Sequence, residues 1–174
     1  NAANLNAASF GPLAGTASDA TSGVASVQVL VKARGSFNAT WKGTFTNTVV
    51  DWDDTGTKYG NWIAVSGTTN WVRTLTSLAP VDSHRFSVWV RSTDAAGNQS
   101  AFPSNAQIDA NLNADNSPAL SFTYDNTLPQ SYVNAPSSGA LLSAAITTIS
   151  GTSSDAGVEP SGVSEVRLKL RRSD

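Results

Sequence analysis

Residues 15–32 read GTASDATSGVASVQVLVK, and residues 151–171 read GTSSDAGVEPSGVSEVRLKLR. Gly15, Thr16, Ser18, Asp19 and Ala20 recur as Gly151, Thr152, Ser154, Asp155 and Ala156. The second copy then carries a three-residue insertion, after which Ser22, Gly23, Val24 and Val27 recur as Ser161, Gly162, Val163 and Val166. The alternation Val27, Val29, Val31 returns as Val166, Leu168, Leu170. Agreement over so many positions of mixed chemistry marks an internal repeat, with one copy present and the next one opening. Each copy reads as strand, polar turn, strand. Side chains of a strand alternate between its two faces, so Val27, Val29 and Val31 are expected to share a buried face, with Gln28 and Lys32 outward.

The same period runs through RFSVWVRSTD at 85–94, where Phe86, Val88 and Val90 share a face. Trp89 is out of phase and is expected to face outward or to lie under a loop. WVRTLTSL at 71–78 and ALSFTY at 119–124 read as further strands. NAQIDANLNADN at 105–116 breaks the pattern, and its Ile108 and Leu112 suit either a short helix or a loop. Many short strands with polar turns between them, and no long helical period, predict an all-β antiparallel sandwich. Pro129 cannot donate to a ladder, so the linker is expected at 127–130. The organisation expected is therefore a sandwich over 1–126, the linker, and the first strands of an incomplete second repeat over 131–174.

Composition narrows the function classes. Charged residues make up 14% of the 174, against about 25% in ordinary soluble domains. The net charge is −2, and basic residues cluster only at the end, which argues against a nucleic-acid partner. The chain has no cysteine, which excludes disulfides and suits a secreted microbial protein better than a small animal ectodomain. It has no methionine either, and reads as part of something longer. No apolar run approaches the roughly 20 residues of a membrane span. Catalytic chemistry finds little material. His84 is the only histidine, and Ser83 beside it in sequence makes a poor triad without a placed third group. The only glutamates, Glu159 and Glu165, both lie in the second copy. A non-enzymatic protein is the expectation.

GTASDATSGVASVQV, followed by Trp-rich hairpins, VRSTDAAGNQS and FTYDNTLP, resembles the immunoglobulin-like repeats of large bacterial surface proteins. In that family a G-T-x-S-D-x-x-S-G-V stretch joins the first two strands, a D-x-A-G-N turn follows a late strand, and D-x-T-x-P leads into the next copy. Asp94, Ala96, Gly97 and Asn98 fit the turn; Asp125, Thr127 and Pro129 fit the exit. The stretch 99–118 is longer than such repeats usually carry. The resemblance implies an immunoglobulin-like sandwich serving as an extracellular spacer, stalk or adhesin module, with neighbouring repeats as its partners. It also implies that acidic turns at a module junction can hold calcium.

Three candidate sites follow. The first is the calcium set Asp94, Asn98 and Asp125, with Asp19 and Asp155 near the same ends; the competing reading is that Asp94 caps a turn and Gly97 takes a positive φ. The second is DWDDTGTKYGNW at 51–62. Asp51, Asp53, Thr55 and Gly56 match half of a calcium loop, but Trp62 stands where the bidentate glutamate belongs. The competing reading is a hairpin tipped by Asp-Asp-Thr-Gly. The third is the set Trp41, Trp52, Trp62 and Trp71, with Trp89, which would stack on sugar rings in a carbohydrate-binding module if exposed in a row, or fill the core if buried. The stripe Val163, Val166, Leu168 and Leu170 lacks a sandwich of its own and is expected to be paired, either by its own first domain or by another chain in strand complementation that extends into a filament.

Overall fold

The computed structural model describes residues 3–6, 11–35, 37–43, 51–75, 82–140, 145 and 147–171. In chain order the strands are β1 (Ala3–Leu5), β2 (Leu13–Thr16), β3 (Val24–Ala33), β4 (Thr40–Trp41), β5 (Trp52–Asp53), β6 (Ile63–Ala64), β7 (Asn70–Arg73), β8 (His84–Asp94), β9 (Leu120–Tyr124), β10 (Gln130–Ala135) and β11 (Ser150–Ser154). A short 3-10 turn spans Lys58–Gly60, and a short helix, α1, spans Asn105–Asp109. The chain is all-β, as its alternation predicts. Of the strand expected at 71–78, residues 71–73 lie in β7, and 76–78 fall outside the described residues.

The two longest alternating segments form the central pair. β3 and β8 run antiparallel from Val24↔Asp94 to Ala33↔Phe86. The main sheet has the order β1-β9-β8-β3-β4-β5, and β6 adds to β3. β2 pairs with β7 in a separate antiparallel ladder. One pairing departs from the antiparallel expectation: β1 runs parallel to β9, so the main sheet is mixed. No tight turn ties β1 to its neighbour, and an edge strand entering from elsewhere in the chain can take either direction.

One face of β3 carries Val27, Val29, Val31 and Ala33, as its period predicts. Val31 and Ala33 join Phe86, Val88, Phe122, Tyr124, Trp41 and Trp52 in the largest core cluster. Phe86 and Phe122 stack with centroids 5.1 Å apart. Val27 and Val29 meet Trp71 from the β2–β7 ladder. Gly15 permits that contact: a Cβ there would stand 2.5 Å from Trp71 Cζ2.

The other face of β3 corrects an expectation. Lys32, expected outward, is 1% exposed. The long segment after β8 folds back over this face, beginning with α1, whose capping box pairs Ser104 with Gln107. Ile108 and Ala119 pack there on Leu30 and Trp89. Trp89 thus lies under a loop, and its Nε1 donates to Leu112 O at 2.9 Å. The Lys32 ammonium donates to Ile108 O at 2.9 Å and Asp109 O at 3.2 Å. Periodicity reports which side chains share a face, not whether something later in the chain covers that face.

The second copy is built differently. β10 and β11 pair antiparallel and are exposed along their length. No strand is assigned over 155–171. Val166, Leu168 and Leu170 are 63%, 58% and 74% exposed, whereas their counterparts Val27, Val29 and Val31 are 3%, 0% and 0% exposed.

Candidate functional site

The candidate calcium residues divide between the two ends of β8. Asp94 closes β8 at one end. Asp125 follows β9, whose Tyr124 pairs with His84 at the other end. Asp94 stands ten residue steps along the strand from His84, about 33 Å at ~3.3 Å per residue. Asp94 and Asn98 are brought together; Asp125 is not brought to them. Asp19 belongs to the Asp94 end and Asp155 to the Asp125 end.

At the first end, the turn after β8 is closed by Asp94. Its Oδ1 accepts from Asn98 N at 2.8 Å, and its Oδ2 from Asn98 Nδ2 at 2.8 Å. Asn98 holds the Asp94 pKa below the ordinary carboxylate value. Gly97 takes φ +90°, as the turn reading expects. Beside it, Asp19 Oδ2 accepts from Thr21 N, Ser22 N and Gly23 N, and the last two N–H groups chiefly depress its pKa. Ser18, Asp19, Val24, Asp94 and Asn98 line an open depression of about 220 Å³.

The opposite end carries a denser network. Asp125 is 6% exposed. Its Oδ1 accepts from Ser83 Oγ at 3.0 Å and Thr127 N at 3.1 Å, and its Oδ2 from Ser161 N at 2.6 Å. Burial works to raise its pKa, but the Ser161 and Thr127 donors outweigh it and the net shift is downward. Asp82 Oδ1 accepts from Asn126 N at 2.7 Å, and Asp82 Oδ2 accepts from Thr127 Oγ1 at 3.2 Å. The exit segment of the first copy is thus tied to the turn before β8, and the second copy is tied to both. Sequence reasoning singled out Asp125 but missed Asp82, Ser83, Arg85, Glu159 and Ser161 as its company. The one available signal was the insertion that separates the two copies.

The donors at these carboxylates bear on the calcium reading. Both oxygens of Asp94 and both of Asp125 accept from N–H or O–H donors. Among the described residues, no group of three or more His, Cys, Asp or Glu side chains is placed to hold a metal ion. Asp94, Asn98 and Asp125 are thus not brought together as one set of ligands.

The 51–62 loop is not a hairpin. β5 pairs with β4, and β6 pairs with β3. The segment between them crosses from one partner to the other through the 3-10 turn. Asp53 organises it: its carboxylate accepts from Thr55 N, Thr55 Oγ1, Thr57 Oγ1 and Asn61 Nδ2. The Thr55 donors chiefly hold its pKa far below the ordinary value. Asp51 is buried. Thr55 thus donates to Asp53 through both its N–H and its hydroxyl, and Gly56 takes no left-handed φ.

Trp41, Trp52, Trp71 and Trp89 are all buried. Only Trp62 is half-exposed, with the Arg91 guanidinium 4.4 Å from its ring centroid and Phe102 edge-on to it. A row of exposed rings for a sugar chain is not assembled. The Ser83 hydroxyl donates to Asp125 rather than to His84, and His84 Nδ1 meets Asp82 O at 2.8 Å. Compared with known proteins, the chain matches no family model, no curated protein and no solved structure.

Proposed function

We propose that this chain is a non-catalytic structural module of the bacterial immunoglobulin-like kind, one spacer in a tandem array on a large extracellular or surface protein such as an adhesin, stalk or filament. The finer fold reading rests on strand order. A sheet β1-β9-β8-β3-β4-β5 packed across Trp71 from a β2–β7 ladder is the two-layer arrangement expected of such a sandwich. The parallel β1 at its edge is compatible with it.

The observation that carries the reading is the contrast between the two copies. The same apolar stripe is fully buried in the first, where β8 lies alongside, and more than half exposed in the second. An exposed alternating stripe is a template for a further strand. A strand from another copy supplies backbone partners for 163–171, and the alternate apolar side chains fix the register. Repeated head to tail, that contact builds a filament.

Light scattering tests this on the full chain, on the chain ending at residue 126, and on a full-length variant with Val166, Leu168 and Leu170 all replaced by Thr. The expected result is a mass that grows with concentration only where the intact stripe is present. Monomers at every concentration for all three would end the assembly reading. The carbohydrate-binding alternative loses its platform because four of the five tryptophans are buried.

A further inference from the structure

The insertion that distinguishes the second copy is also where that copy touches the first. Gly157, Val158, Glu159 and Pro160 stand where the first copy has only Thr21. Glu159 N donates to Ser83 O at 2.7 Å, and Glu159 Oε2 accepts from Arg85 N at 2.9 Å. The Glu159 carboxylate also acts favourably on the Arg34 guanidinium, which burial and Arg85 disfavour. The loop runs beside the turn after β3: a Cβ on Gly35 would lie 3.9 Å from Glu159 Cδ and 4.0 Å from Val158 Cγ1. At Gly157 the approach is closer still, since a Cβ there would stand 2.4 Å from Ser83 Cβ, and its φ is +151°. Only glycine suits that position.

One N–H shows what the insertion changes. In the first copy, Ser22 N donates to Asp19 of its own loop at 2.6 Å. In the second, its counterpart Ser161 N donates at 2.6 Å to Asp125, which belongs to the preceding unit. Asp155, the counterpart of Asp19, keeps the Gly162 N–H at 2.8 Å. The longer loop hands one internal bond over to the neighbour and adds two from Glu159.

We propose that the insertion Gly157–Pro160 is a coupling loop, and that Ser83, the Arg85 backbone and Asp125 form a socket that takes a following repeat whose first loop is of this longer type. Several short bonds to the end of a rigid strand fix the angle between the units. A loop of the Thr21 type has neither the carboxylate nor the reach. The first loop of each repeat then sets whether the joint in front of it is stiff or free. This deepens the spacer reading and rests on it for its use; the joint itself is tested separately.

The chain has no cysteine, so spin labels can be placed on Ala95→Cys and Ser153→Cys, which are exposed and lie on opposite sides of the joint. Pulsed electron–electron resonance on labelled chains diluted with unlabelled chain reads the intramolecular distance distribution. The full chain is expected to give one narrow peak. Replacing Gly157–Pro160 with a single Thr is expected to widen it roughly twofold, as a flexible linker would. Glu159→Ala, which removes the carboxylate's bond from Arg85 N and leaves the Glu159 N–H on Ser83 O, is expected to fall between the two. A distribution already broad in the parent, or one of equal width in the parent and both variants, overturns the proposal. A stiff joint in a chain that never assembles leaves the coupling loop standing and removes the filament reading; assembly with a loose joint does the reverse.

Discussion

Lys32 offers the sharpest quantitative test, because its burial sets two large effects against each other. The ammonium bonds Ile108 O, Asp109 O and, at 3.5 Å, Asn111 Oδ1, with the Asp109 carboxylate 3.7 Å away. Lys32→Met keeps most of the volume and deletes the charge. No acceptor is orphaned by it. Ile108 O still accepts from Asn111 N, Asp109 O from Asn111 Nδ2, and Asn111 Oδ1 from Ser87 Oγ. The Asp109 carboxylate keeps Lys58 and Tyr59. The loss is then the worth of hydrogen bonds from a charged donor, about 1.5–3 kcal/mol for each of the two at 3.2 Å or less. Against it stands relief of the desolvation cost of a buried ion, several kcal/mol in effective terms. The two nearly cancel, and Lys32→Met is expected to lie within about 1 kcal/mol of the parent. Lys32→Ala instead removes three methylenes, about 2.4 kcal/mol at ~0.8 each, and leaves a cavity, for a loss of about 3 kcal/mol. Burial pushes the Lys32 pKa below the ordinary lysine value, with Asp109 only partly opposing it. The unfolded chain therefore binds the proton more tightly, and Lys32 contributes a rise in stability as pH climbs from the folded pKa towards the unfolded one. Lys32→Met should lack that rise. Urea unfolding at neutral and alkaline pH measures both effects, with an unchanged slope confirming the same transition. If Lys32→Met is as damaged as Lys32→Ala, the ammonium is a strut of the loop over β3 and the cancellation argued here is wrong.

Gly15→Ala forces a methyl into the Trp71 ring and is expected to cost about 1–3 kcal/mol, whereas Gly11→Ala, whose Cβ would meet nothing within 4 Å among the described residues, should stay within about 0.5 kcal/mol in the same melting assay. Asp53 has a folded pKa far below its unfolded one, so its contribution is complete above about pH 4 and is lost as pH falls further. Acid melts should therefore fall less steeply for Asp53→Asn than for the parent, and identical slopes would contradict the role given to the Thr55, Thr57 and Asn61 donors. With the candidate ligands split between the two ends of β8, the melting temperature is expected to be indifferent to calcium and to chelator. A rise of several degrees with calcium, removed by Asp94→Ala or Asp125→Ala, would instead restore a metal to one of these turns.

The repeat, the positions of β3, β8 and β9, the turn at Asp94–Asn98 and the end of the ladder before Pro129 could all be read from residues 15–32, 85–98 and 119–129, because alternation, turn chemistry and missing donors are local properties. The sites were less legible. Asp94 and Asp125 look like partners in a motif read along the chain, yet an extended strand of eleven residues holds them apart. Five tryptophans look like a platform until the core claims four of them. The socket at Asp125 left only one trace, an insertion with a glutamate in it.

The alternation along each strand is legible residue by residue, but which alternations are buried follows only from the tertiary contacts. Lys32 sits at a position that period alone sends to solvent, and α1 and its following loop, more than 70 residues on, close over it. Val27, Val29 and Val31 have the same pattern as Val166, Leu168 and Leu170, yet the first three are sealed and the second three are open. A strand's two faces follow from the geometry of its own backbone, whereas burial depends on what another part of a chain lays against it.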